Sequence, residues 1–201
     1  MARQIFNPES LVWKPIGTVG DVVMLSLLWG VCSIPLVTAG PAAAALYDGC
    51  VHCIRRKEND LFGRFFHTFR AELKTGLFST LLWAAVLGLL FGLRALLMQA
   101  VGTEGSGAFL GVFSLILLLI PLGAACWVFP LLSRFSFRFA ELNRTALQLA
   151  LGNILRSLAM ALLLLLSAEL CLRLVSPLIF IPGLLALIFS YLIEPVFQKY
   201  E

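Results

Sequence analysis

The chain has 201 residues, of which 60% are hydrophobic and 13% charged, with a formal net charge of +4 and a mean hydropathy of +0.96. A water-soluble domain of this size keeps too much surface per unit volume to hide so much apolar side chain, which excludes an ordinary soluble enzyme or nucleic-acid-binding domain. The composition fits an all-α, polytopic membrane helical bundle with about five transmembrane helices and cytosolic amphipathic helices. Apolar runs of about 18 residues or more span a bilayer, and backbone in lipid must pair with itself. The whole chain, 1–201, reads as one domain.

Residues 1–18, with Trp13 among prolines and a few charges, read as an interfacial segment. The first span is predicted over 19–37. It runs into Ser33-Ile34-Pro35-Leu36-Val37-Thr38-Ala39-Gly40-Pro41, which cannot continue a regular helix. Pro35, Thr38, Gly40 and Pro41 therefore define a structural kink, with Thr38 or Gly40 near a helix cap and Pro41 in the first turn of the next helix. That helix, 42–54, is fairly apolar and is expected to lie at the interface. In the segment 61–74, Phe62, Phe65, Phe66, Phe69 and Leu73 share one face at helical spacing, with Arg64, His67, Arg70 and Lys74 elsewhere. This pattern predicts a basic amphipathic helix for the membrane surface or a partner groove, with Arg64 and Arg70 supplying charge.

The second span is predicted over 77–98. It carries Gly88 and Gly92 at the small-xxx-small spacing that lets helices approach closely. A glycine-rich turn at 101–107 leads to a third span over 109–130. A second basic segment, 134–156, precedes a fourth span over 154–173. A turn at Ser176-Pro177 opens the fifth, 178–193, and Glu194-Pro195 begins a polar tail. Eleven of the fifteen Lys and Arg residues fall in two basic blocks, 48–74 and 134–156, or at Lys199. Basic residues accumulate on the cytoplasmic side, so the amino terminus is expected outside and the carboxyl terminus in the cytoplasm. The net positive charge is thus a matter of topology, and no nucleic-acid partner is expected. Phe66 and Ala71-Glu72-Leu73 match Phe135 and Ala140-Glu141-Leu142 at a constant offset, a weak echo in a chain rich in Phe and Leu.

Asp21, Arg94, Glu169 and Arg173 fall toward the predicted outer side and are the candidate intramembrane polar contacts. Glu169 and Arg173 are spaced to pair along one helix face. Cys50-Val51-His52-Cys53 offers two thiols and an imidazole, but a structural zinc site needs four ligands and no second pair is evident. No phosphate loop, HExxH or GxSxG pattern occurs. No catalytic residue, metal site or cofactor is assigned, and the chain is not expected to be an enzyme.

Leu28-Trp29, Ile34 through Ala42 and Ala45-Leu46-Tyr47 together resemble the YesL family of small bacterial membrane proteins. The resemblance continues at Phe65-Phe66-His67-Thr68-Phe69-Arg70, at Phe129 through Phe135 and at Asn143 through Asn153. Ser26 departs from it, standing where the family leads one to expect an asparagine. The resemblance implies about five spans in the bacterial cytoplasmic membrane and an accessory role in a carbohydrate ABC import system. The implied partners are membrane lipid and permease subunits, with the ATPase or a sensor kinase as further contacts. The alternatives are an independent small membrane transporter and a membrane adaptor for a sensor kinase.

Overall fold

A computed structural model describes residues 8–55, 60–101, 106–135, 137–173 and 179–197. The expectations for the Trp13 side chain, for the turns at 101–107 and Ser176-Pro177, and for Lys199 lie wholly or largely outside the described residues. Among the described residues the structure is helical throughout. Its elements are α1 (Pro8–Cys32), a 3₁₀ turn (Leu36–Thr38), α2 (Ala39–Gly49), a π-helical turn (Cys50–Arg55), α3 (Leu61–Ala71), α4 (Leu73–Val101), α5 (Ser106–Arg134), α6 (Phe139–Gly152), α7 (Ile154–Arg173) and α8 (Ile181–Phe197).

Three helices are long and apolar enough to cross a membrane: Leu73–Ala100, Phe109–Arg134 and Ile154–Cys171. Large apolar side chains cover their outer surfaces, among them Leu89, Phe109, Val112, Leu155 and Leu166. In water such a surface would drive association, and in a bilayer it meets its own kind. Only 6% of the apolar window of α4 is buried, against 33% in α5, so α4 is peripheral and α5 central. Trp127 of α5 is fully buried, and the main core gathers around it with Leu131, Leu142 of α6, Met160 of α7 and Phe197 of α8.

The first helix starts at Pro8 and stops at Cys32, where the sequence predicts a span from 19 to 37. Pro8 suits a first helical turn. The stop follows from Pro35, which disfavours helical backbone at Ile34. The Thr38 hydroxyl then faces the end of α1, 2.6 Å from the Cys32 carbonyl and 2.7 Å from that of Pro35. Thr38 occupies the N-cap position of α2 without capping it by its side chain; its hydroxyl fastens the kink instead.

The largest departure from the sequence reading is α2. The expectation was an interfacial helix over 42–54, yet nine of the eleven residues of α2 are buried. Its small residues explain this. A Cβ on Gly40 would strike the Thr80 hydroxyl and, at 2.5 Å, the Phe129 ring, while one on Gly76 would lie 2.8 Å from Pro41. Alanines at 42, 44 and 45 leave room for neighbours on the remaining sides. The result is a short helix wrapped by α1, α3, α4, α5 and α8.

Two further corrections concern small residues and a helix end. Gly88 and Gly92 do not pack α4 within the chain, because a Cβ on either would meet nothing within 4 Å. The close approach on the other side of the bundle uses Gly183, whose Cβ would sit 2.7 Å from the Val22 carbonyl and from the Ser26 hydroxyl. The supposed polar tail at Glu194-Pro195 is part of α8, and Val196 and Phe197 are core residues. The echo between Ala71-Glu72-Leu73 and Ala140-Glu141-Leu142 is not structural: the first joins α3 to α4, whereas the second lies in the opening turn of α6.

Candidate functional site

Asp48 is a carboxylate in the last turn of a buried helix, only 4% exposed. Burying a charge is tolerated only with full compensation, and three donors supply it. Arg64 Nε lies 2.8 Å from Oδ2, the Thr68 hydroxyl donates to the same oxygen at 2.7 Å, and His52 Nδ1 lies 2.9 Å from Oδ1. Arg64 also reaches His52 Nε2 at 2.9 Å. A guanidinium only donates, so this contact makes Nε2 the acceptor and leaves the proton on Nδ1, facing Asp48. The spacings carry the geometry: Asp48 and His52 are four apart, as are Arg64 and Thr68, so each pair projects from one helix face. Residues 50–55 form a π-helical turn, a local widening found often at functional positions.

This node corrects the reading of α3. Phe65 is fully buried, Thr68 is buried and Phe69 is half-buried, while Phe62 and Phe66 point outward, 49% and 39% exposed. The buried face is turned by roughly a quarter of a revolution from the predicted apolar face, at ~100° per residue, because Arg64 and Thr68 turn inward to reach Asp48. Arg64 is thus an internal ligand, whereas Arg70 is exposed. Leu73 is half-buried at the start of α4. Asp60 caps α3, its Oδ1 accepting from the Gly63 amide at 3.0 Å.

Arg134 and Arg156 of the second basic block, and Arg55 of the first, turn inward in the same manner, while Arg138 and Arg144 stay exposed. Arg134, at the end of α5, pairs with the buried Glu194 at 3.2 Å. Arg55 donates to the Ser190 carbonyl at 2.9 Å and stands 4.7 Å from the centre of the Tyr191 ring. Arg156 reaches the Leu192 carbonyl at 3.4 Å. Cations here complement the negative end of the α8 dipole. The cytosolic blocks of the sequence reading are therefore in good part internal struts. Cys50, fully buried, donates its thiol to the Gly183 carbonyl at 3.7 Å. With His52 committed to Asp48 and Arg64, the Cys50-Val51-His52-Cys53 stretch works as packing and hydrogen bonding.

The remaining candidates are dispersed. Glu169 and Arg173 pair at 2.8 Å on an exposed face. Asp21 on α1 and Arg94 on α4 are half-buried. None of these four lines the central cavity, which measures about 500 Å³ and is walled almost wholly by apolar side chains of α1, α2, α4, α5, α7 and α8. The Ser26 departure has a clear local use. Its hydroxyl donates to the Val22 carbonyl at 2.8 Å and accepts from the Gly183 amide at 2.9 Å, tying α1 to α8. Sequence reasoning missed Asp48, His52 and Thr68 as a unit. The available signal was an acid in an apolar helix followed by two i, i+4 pairs.

Fold and site together define a helical membrane protein whose first third is tied by a buried ionic node. Residues 22–92 match a family described as a protein of unknown function, DUF624, the family to which YesL proteins belong. The matched stretch holds the kink, α2, the node and most of α4; the resemblance read at Phe129–Phe135 and Asn143–Asn153 lies beyond it. No curated protein and no solved structure matches the chain.

Proposed function

We propose that the protein is a non-enzymatic accessory subunit of a carbohydrate ABC import system in a bacterial cytoplasmic membrane. It crosses the membrane about five times, with its amino terminus outside and its carboxyl terminus in the cytoplasm. At ~1.5 Å per residue, the apolar part of α1, Gly17–Cys32, is about 24 Å long and α8 with 17 residues about 25 Å. These lengths support counting both with the three longer spans.

The observation that carries the proposal is the outward row Phe62, Phe66 and Arg70 on α3. Its opposite face is locked to Asp48, so the row is held rigidly beside the membrane. Exposed aromatics and an arginine on a fixed scaffold are favoured contact residues, since little ordering entropy opposes docking. Permease helices meet the apolar faces of α4 and α7, and the α3 row braces their cytosolic ends. A transporter reading draws no support from the cavity, whose apolar wall suits no sugar path.

The test is coexpression with the permease pair of an oligosaccharide importer and purification in mild detergent. The expected result is a stoichiometric complex that is lost in the double variant Phe62→Ser, Phe66→Ser. Recovery of the wild-type chain alone, with the permease present and intact, would refute the proposal; co-recovery of a sensor kinase instead would move the assignment to the adaptor reading.

A further inference from the structure

Two helices change character at the same place. Along α6 the exposed side chains begin with Arg138 at the N-cap, Glu141 and Arg144. They then turn to Leu147 and Leu151, the uncharged Gln148 aside, and stay apolar into Ile154 and Leu155 of α7. Along α4 the exposed Lys74 gives way one turn later to Phe78, and then to Leu81 and Leu82. A helix that passes from water into hydrocarbon changes its outer residues in this order. The passage falls between Arg144 and Leu147 on α6, and between Lys74 and Phe78 on α4.

The two passages lie side by side. The Phe78 ring stands edge-on to that of Phe139, the first residue of α6, with 6.5 Å between centroids. About one turn further along both helices, the Trp83 indole donates to the Asn143 side chain at 2.8 Å. So α4 and α6 cross the boundary as neighbours, with both phenylalanines exposed at its level.

Charge at this boundary is unbalanced. Lys74, Arg138 and Arg144 are exposed, and Arg70 lies one turn before Lys74. The exposed acid beside them, Glu141, has its carboxylate 3.4 Å from the Arg138 amide at the opening of α6. Arg64 and Arg134 turn inward to buried carboxylates, whereas these cations stay on the outer surface, at the level where lipid phosphates stand.

We infer that this edge of the bundle is a docking surface for anionic phospholipid. Lys74, Arg138 and Arg144 meet the phosphate and the negative headgroup, while Phe78, Phe139 and Leu147 meet the first acyl carbons. Long cationic side chains lay their stems on apolar surface and keep their heads in water, which sets the charge at headgroup height. Anionic headgroups attract such cations, and salt screens the attraction. A zwitterionic headgroup brings a cation of its own and gains less. The surface uses none of the α3 row, and its test needs no permease.

The full chain is equilibrated in mixed micelles of phosphatidylglycerol and phosphatidylcholine in equal amounts with identical acyl chains. It is then captured, and its bound lipid is quantified by mass spectrometry. Wild type is expected to enrich phosphatidylglycerol by at least about threefold, less so at high salt. The triple variant Lys74→Gln, Arg138→Gln, Arg144→Gln should bind the two lipids equally while staying helical and monodisperse. The charge-keeping variant Lys74→Arg, Arg138→Lys, Arg144→Lys should retain the preference, as should Arg94→Gln, far along α4. Excess inorganic phosphate at matched ionic strength should leave it unchanged. A second arm places spin labels in bilayers of the same lipids, through Leu147→Cys, Leu151→Cys or Glu141→Cys. The half-buried Cys32 and Cys171 are replaced by serine; the other thiols are buried. Labels at 147 and 151 should meet dissolved oxygen in the hydrocarbon, and a label at 141 an aqueous nickel chelate. Equal binding of both lipids by wild type, a preference that survives in the folded triple variant, or displacement by inorganic phosphate would overturn the inference. So would labels at 147 and 151 that meet the chelate, or that meet neither probe because protein covers them.

Discussion

Replacing Asp48 with asparagine removes one negative charge and almost no volume, which makes it a direct test of the buried node. The carboxylate accepts from Arg64 at 2.8 Å, from Thr68 at 2.7 Å and from His52 at 2.9 Å. A hydrogen bond to a charged group contributes about 1.5–3 kcal/mol, and a bare sum over three would exceed what loss of a whole buried pair costs, about 3–5 kcal/mol. The sum fails because the partners are not equally trapped. The Arg64 side chain is 39% exposed and can turn to solvent, whereas Thr68 can still donate to the asparagine carbonyl. The expected losses are about 1–2 kcal/mol for Asp48→Asn and about 3–5 kcal/mol for Asp48→Ala, which removes the acceptor that Thr68, Arg64 and His52 share. Arg64→Gln should cost less than Asp48→Ala, since Thr68 and His52 still serve the acid. The double variant Asp48→Asn, Arg64→Gln should fall short of the sum of its parts by about 1 kcal/mol, the signature of direct coupling. The assay is equilibrium unfolding in mixed micelles, followed by near-ultraviolet dichroism. A loss below about 0.5 kcal/mol for Asp48→Ala, the level of an ordinary surface change, would refute the view that this node holds α3 on α2.

Gly183→Ala should destabilise by about 1–3 kcal/mol through overpacking, since its Cβ meets the Val22 carbonyl and Ser26. Gly88→Ala, with open space around it, should stabilise by up to about 1 kcal/mol through helix propensity; reversal of that order in thermal unfolding would contradict the packing described. Ser157→Ala removes the acceptor of the fully buried Trp127 indole, held at 2.9 Å, and should cost about 1–3 kcal/mol with a shift in tryptophan emission. Glu72, in the turn between α3 and α4, has its carboxyl pushed above the usual range by burial. For an acid raised on folding, the folded state holds the proton more tightly, so stability declines as pH rises from the unfolded to the folded value. Glu72→Gln should therefore match wild type in acid and equal or exceed it at neutral pH; a variant less stable than wild type at neutral pH would show that the carboxylate has a partner worth more than its burial.

The long helices α4, α5 and α7 were legible because lipid-facing runs carry almost no charge, and the kink was legible because prolines at 35 and 41 bracket it. What the sequence hid was the inside of the bundle. An alanine-rich segment ending in Asp48 and His52 has the composition of an interfacial helix. Only the later helices, by enclosing it, make it a core. The orientation of α3 was hidden for the same reason: periodicity counts Arg64 as an outward residue, but an arginine turns inward when a buried carboxylate waits there. Glu194-Pro195 read as the start of a tail because nothing in that local sequence announces Arg134, sixty residues earlier. Glu169 and Arg173 were legible as a pair, because their partner spacing lies within a single helix.

The closure of α8 upon the first two helices has a consequence for synthesis. Ser26 binds Gly183, Cys50 binds Gly183 and Arg55 binds Ser190, so this early part of the chain receives one of its walls from α8, which is synthesised more than a hundred residues later. At roughly 5–20 residues per second, α2 waits several seconds in the membrane with its buried-to-be acid and thiols uncovered. During that interval it must be sheltered, by α3 folded early against it or by the insertion machinery. Any truncation before Ile181 would make that exposed state permanent.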